Sequence, residues 1–248
     1  MSKYGPASAF LLVGGCNVSG ETHQMSESVE QLLTKSDGLG DSWDEHLPVG
    51  KAKVTLAASG GFYDDAAAST IEAFQDQGAT KQAVSYGMAG HTPGAECVLL
   101  NGTYAVKFNR LPTVDDLTKA YADHTITGQL YRGKVLHGLT AETTDPGNTE
   151  GASSVDNGAA TTVSWEAQLH VPALTLDGAT SVTATVRHST DDVTYATLTT
   201  FANVTAAGTA EHKSGTGTVN QYRAMTWDFN GAPGAAKSVV PYVALYTA

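Results

Sequence analysis

Ser181–His188 reads SVTATVRH. Val182, Ala184 and Val186 fall on one side of an extended chain, and Thr183, Thr185 and Arg187 on the other. Strict alternation with β-branched side chains is the pattern of a strand that turns one face to a core and the other to water. The pattern recurs. In RAMTWDF, Met225, Trp227 and Phe229 alternate against Ala224, Thr226 and Asp228. TTVSWEAQLHV (161–171), VTYATLTTFANV (193–204) and SVVPYVALYT (238–247) supply further strand-like runs. They are punctuated by Asp177-Gly178, Asp191-Asp192, Gly215/Gly217 and Gly231/Pro233/Gly234. Short runs so spaced predict an antiparallel β-sandwich. Pro241 has no N–H to give a ladder, so it is expected on an edge or at a bulge.

Upstream, Thr140–Ala160 reads TAETTDPGNTEGASSVDNGAA. It is rich in Gly, Ser, Thr and Asp and has no apolar period, which is the composition of a linker or long loop. It divides the chain into an N-terminal unit (1–145), a linker (146–158) and a C-terminal sandwich (159–248). On this reading a chain ending near Gly151 folds by itself.

The N-terminal unit reads as strands with one or two short helices. KAKVTLAA (51–58) is a half-buried strand with Ala52, Val54 and Leu56 on one face. Asp64 or Asp65 caps a helix over AAASTIEAFQDQ (66–77), where Ile71 and Phe74 share a face and Gly78 is a stop. AECVLLNGTYAVKFNRL (95–111) predicts two strands around an Asn101-Gly102 turn. Thr113, with Asp116 three residues on, predicts a capped helix through Tyr121. GQLYRGKVLHGLT (128–140) reads as a strand or hairpin, and Met25–Leu33 fits helix and strand equally.

The chain has 248 residues, enough for one large or two ordinary domains with a sizeable core. A net charge of -11 argues against binding nucleic-acid phosphates or anionic membranes. AFLLVGGC (9–16) has the outline of a lipoprotein signal, but its apolar run is short and only Lys3 precedes it as a base, so the start is read as mature. Cys16 and Cys97 could form one disulfide; no Cys-x-x-Cys points to zinc. Asn17, Asn101 and Asn203 head sequons of the frequency chance allows in a Thr-rich chain.

Catalytic signatures are missing. There is no G-x-S-x-G, no phosphate-binding glycine loop and no H-E-x-x-H. The eight histidines are scattered singly. Asp64 and Asp65 could act as acid and base or bind calcium, but a helix cap is the simpler reading. Trp43, between Asp41 and Asp44, suits either a ligand platform or an anchor into a neighbour or the core. No catalytic, cofactor-binding or metal-binding residue is expected, and the protein is read as a non-enzyme.

The order of features in LGDSWDEHLPVG (39–50), the strand after it, GGFYDD (60–65) and TKAYADHTITGQLYRGKVLHG (118–138) resembles the tail tube, or major tail, proteins of long non-contractile-tailed bacteriophages. The likeness covers about Val13 to Leu139. The stretch TATVRHSTDDVTYATLTTFANV (183–204), with NQYRAMTWDF (220–229), is similar to jelly-roll domains of the carbohydrate-binding or discoidin-like type. Such domains are also found appended to tail tube proteins. These resemblances imply an N-terminal β-sandwich or barrel tube domain and an outer jelly-roll-like domain. They imply homohexameric rings stacked into a tube, other tail proteins as partners, and DNA passing through the lumen without specific binding. They imply a virion location after synthesis in the bacterial host cytoplasm, no membrane, and a host-surface glycan as a further partner of the C-terminal domain. The assembly residues would be Trp43, Asp44, Phe62, Tyr63, Asp64 and Asp65. The alternative is a non-catalytic carbohydrate-binding or adhesion protein of two β-domains.

Overall fold

The computed structural model describes residues 9–19, 24–35, 46–62, 82–113, 116–126 and 129–248. These residues are mainly β and antiparallel, with a single 3-10 turn at Gly151–Ser153. The strands are β1 (Phe10–Val13), β2 (Cys16–Asn17), β3 (Gln24–Lys35), β4 (His46–Phe62), β5 (Gln82–Gly87), β6 (Glu96–Thr113), β7 (Asp116–Ile126) and β8 (Leu130–His137). There follow β9 (Gly147–Asn148), β10 (Val155–Asp156), β11 (Thr161–Thr175), β12 (Ala179–Ser189), β13 (Ala196–Thr200), β14 (Thr209–Val219), β15 (Tyr222–Gly231) and β16 (Ser238–Thr247).

One sheet runs β14-β11-β16-β8-β6-β5-β1-β2, with β7, β4 and β3 added in turn beside β6. The other is β10-β15-β12-β13 with β9 alongside β15. The predicted alternation holds in the second sheet: Val182, Ala184 and Val186 of β12 and Met225, Trp227 and Phe229 of β15 all enter one core. Trp165, Ala167 and Leu169 of β11 and Val243 and Leu245 of β16 face them across the sandwich.

The wall β8-β16-β11 is buried on both faces. Val243 and Leu245 point into the sandwich, while Tyr242 and Ala244 point the other way, into a cluster with Phe10, Leu12, Cys97, Leu99 and Val135. This explains why β16 reads as an almost unbroken apolar run while β12 alternates. A third cluster, with Leu11, Val13, Val84, Val98 and Leu100, lies on the opposite face of the N-terminal strands, with Leu56 of β4 and Met25 of β3 against it. Cys16 and Cys97 are not joined by a disulfide and lie in different clusters.

Two sequence expectations fail. Asn101-Gly102 does not turn the chain. β6 continues through it, and against β5 the partners step from Val84↔Leu100 to Gln82↔Thr103, which leaves one extra residue on β6. Gly102, at φ +76°, supplies the backbone freedom for this bulge, the same freedom a hairpin turn would use. Where a helix is expected from Thr113 to Tyr121, Thr113 ends β6 and pairs with Asp116, which opens strand β7. β7 is held by β6 on one side and β4 on the other, and two ladders outweigh a local capping pattern. Met25–Leu33 lies within strand β3. The expected helix at 66–77 falls outside the described residues. Pro241 sits at a bulge: the register shifts between His170 and Ala173 across from it.

The stretch of linker composition is stitched to the sandwich. Glu142 bridges Val239, β9 and β10 pair with β15, and the Thr149 hydroxyl accepts from the Met225 N–H at 2.9 Å. Trp227 Nε1 donates to the Thr144 carbonyl at 3.0 Å, and the Phe229 N–H donates to the Asp145 carboxylate at 3.0 Å.

Candidate functional site

Of the six residues expected to act in assembly, Trp43, Asp44, Tyr63, Asp64 and Asp65 fall outside the described residues. Phe62 closes β4, its backbone paired with Lys119 of β7. What the structure brings together around it is an extension built from two long hairpins. β3 and β4 run 12 and 17 residues, and β6 and β7 run 18 and 11, ordered β3-β4-β7-β6. At ~3.3 Å per residue the longest spans ~60 Å, about three times the usual strand length. Among the described residues β3 pairs only with β4, so its outer edge offers a row of unpaired backbone groups. Val29 on β3 is 56% exposed. The Tyr86 hydroxyl donates to the Glu27 carboxylate and Arg132 approaches it at 3.7 Å, which fastens β3 to β5 and β8. Burial, and then the Glu27 bond, push the Tyr86 phenol far above its ordinary range.

The one Ser–His contact in the described core is not a catalytic dyad. Gly15 N–H donates to His170 Nδ1 at 3.3 Å, so the ring proton sits on Nε2. Nε2 then donates to Ser85 Oγ at 3.0 Å, the hydroxyl donates to Gln168 Oε1 at 2.6 Å, and Gln168 Nε2 donates to the Leu100 carbonyl at 2.9 Å. The donors all run one way, away from the arrangement in which histidine takes a proton from serine. Ser85, Gln168 and His170 are each fully buried, and burial lowers the His170 imidazole to about 3. The cluster is a structural bolt between β5 and β11.

The Ser-x-Asp-x-x-x-Tyr turn, Ser189–Tyr195, is likewise a fastening. Asp191 accepts from Ser189 Oγ and from the N–H groups of Val193 and Thr194, which lower its carboxyl to about 2, the Thr194 bond contributing most. Tyr195 donates to Asp192 and accepts from Gly151 N–H, and Arg187 pairs with Glu150, so the turn holds the 142–156 strap.

At the same end of the sandwich, where His188 pairs with Arg223 and Ser189 with Tyr222, lies a cavity of about 410 Å³. Arg223, Arg132, Lys134, Glu27, Glu96 and Thr161 line it. Arg223 is 2% exposed, and burial draws its guanidinium down to about 10. Its parity with Met225, Trp227 and Phe229 was a legible signal: it is the charged member of an inward-facing row. Among the described residues no group of three or more His, Cys, Asp or Glu is placed to hold a metal ion.

No protein-family model matches the chain, and no curated protein does. Among solved structures it is similar to a chain of the virion of the native gene transfer agent particle, at 12% identity and a TM-score of 0.40 over 52% of this chain and 97% of that one. It is similar to the Dit (gp 19.1) protein of SPP1, at 8% identity and a TM-score of 0.33 over 96% and 99%. A third likeness is to a chain of infectious bursal disease virus, Gx strain, at 11% identity and a TM-score of 0.30 over 99% and 58%. These are shallow likenesses of strand arrangement.

Proposed function

We propose that the chain is a structural protein of a bacteriophage tail, a tail tube subunit that forms stacked hexameric rings through which DNA passes. The observation that carries the reading is the run of long strands β3-β4-β7-β6, in which β3 pairs only with β4 among the described residues. Long strands that end a sheet in an open edge suit pairing with a neighbouring copy. The motif order from 39 to 65 and from 118 to 138 supports the same family. Residues 1–145 would form the tube wall and 159–248 an outer unit. The two are joined through the β8-β16 ladder rather than by a free tether. Trp43, Asp44 and residues 62–65 would reach adjacent copies. With a net charge of -11, an acidic lumen would repel DNA and leave it mobile, because basic contacts would retain it.

Negative-stain microscopy of the purified chain tests the proposal. Rings or tubes are expected, with no measurable affinity of those tubes for double-stranded DNA at low salt. Monodisperse monomers at high concentration would count against the subunit role. Tubes that bind DNA in a salt-sensitive way would leave that role standing and remove the acidic lumen.

A further inference from the structure

Arg223 lies near the start of β15, in the inward-facing row that continues through Met225, Trp227 and Phe229. A guanidinium at such a position ordinarily meets a carboxylate or several carbonyls, because it carries only donors and loses its hydration on burial. Here Nε and Nη2 are buried and have no hydrogen-bond partner among the described residues. Those two nitrogens form one edge of the guanidinium fork, the edge that takes two oxygens of a single ligand in parallel. Thr161 Oγ1, at the start of β11, is a second buried polar atom without a partner, and it lines the same cavity.

The other charges around the cavity leave this edge unclaimed. Glu27 is taken by Tyr86 and Arg132. Glu96 is exposed. Among the described residues Lys134 donates to the Asp156 carbonyl at 3.5 Å. Three of the chain's 14 Lys and Arg residues therefore converge on one cavity of a strongly acidic protein. We propose that this cavity is an oxyanion-binding site in which Arg223 grips two oxygens of a carboxylate or phosphate, Thr161 offers a hydroxyl, and Lys134 adds charge at the mouth. A volume of about 410 Å³ exceeds a lone ion, and Val98 and Leu245 give it apolar wall, so the oxyanion would carry a small organic body. That body is either a dissolved small acid or an acidic side chain of a second copy. The inference does not rest on the tail-tube reading: Glu27 of β3 lines the cavity, but the argument stands on Arg223 and Thr161.

The test uses the full chain, with succinate and inorganic phosphate as probes. The Arg223 Nε–H resonance is followed by NMR and the affinity by calorimetry. For a dissolved acid, the resonance shifts saturably, Arg223→Met weakens binding at least tenfold, and Lys134→Gln weakens it less. For a side chain of a second copy, neither probe binds tightly, but Arg223→Met lowers self-association in sedimentation and succinate competes with it. If the resonance is unmoved by both probes and self-association is the same in wild type and Arg223→Met, water alone satisfies the guanidinium and the proposal is wrong. Should Arg223→Met fail to fold, the wild-type titration and Lys134→Gln still decide.

Discussion

His170 Nε2 lies 3.0 Å from Ser85 Oγ, 85 residues away in sequence and in the other half of the chain. The bond closes a line of donors from Gly15 through His170 and Ser85 to Gln168 and Leu100. That line has no place for a second proton on His170.

Acid should therefore unfold the protein through this residue. The His170 imidazole is held near 3 in the fold, against ~6.5 in an unfolded chain. Between those values the unfolded state binds a proton that the folded state refuses. The stabilisation is complete above ~6.5 and is lost as pH falls, at up to ~1.4 kcal/mol per pH unit. Denaturant titrations at pH 7, 6, 5 and 4 should show that slope in the wild type and a shallower one in His170→Gln. Equal slopes would assign acid sensitivity elsewhere.

A chain ending at Gly151 should not fold, contrary to what composition suggests. It would lack β16 and β11, and so expose Phe10, Leu12, Leu99 and Val135, which pack against Tyr242 and Ala244. Ser85 would lose both Gln168 and His170. Amide NMR dispersion reads the outcome. A well-dispersed spectrum with a cooperative melt would show that the N-terminal unit stands alone.

Gly147→Ala should destabilise. A Cβ at this position would collide with Trp227 Cε2 and Cζ2, while the indole is anchored on the Thr144 carbonyl and packs edge-on against His137. Overpacking of this kind costs ~1–3 kcal/mol. The expected fall in Tm is about 2–4 °C per kcal/mol for a chain of this size. An unchanged melt would mean that the strap yields without cost.

Val29→Lys should block assembly and leave the melt almost unchanged. Val29 is already exposed on the edge strand, and a lysine there disfavours pairing with another chain. Size-exclusion and microscopy read the first effect, calorimetry the second. Normal rings from the variant would move the contact away from this part of the edge.

Local chemistry was enough to determine the class of this fold. β12 and β15 face a core on one side and water on the other, so the alternation of Val182 to Val186 and of Met225 to Phe229 states both their conformation and their inward face. The same row held the sign of the cavity: Arg223 has the parity of Trp227. Tertiary structure decided everything that depends on partners distant in sequence. Asn101-Gly102 permits a positive φ, but whether that freedom makes a turn or a bulge depends on β5 lying alongside. Thr113 and Asp116 fit a cap or a reversal, and the flanking β4 and β6 selected the strand. A polar stretch reads as a tether until Trp227, Phe229 and Tyr195 are found to bind it. The boundary between halves was the hardest to read, because a wall buried on both faces belongs to two cores at once. β16 completes a ladder with β8, from the other half, and no local pattern of residues encodes which strand will come to lie beside it.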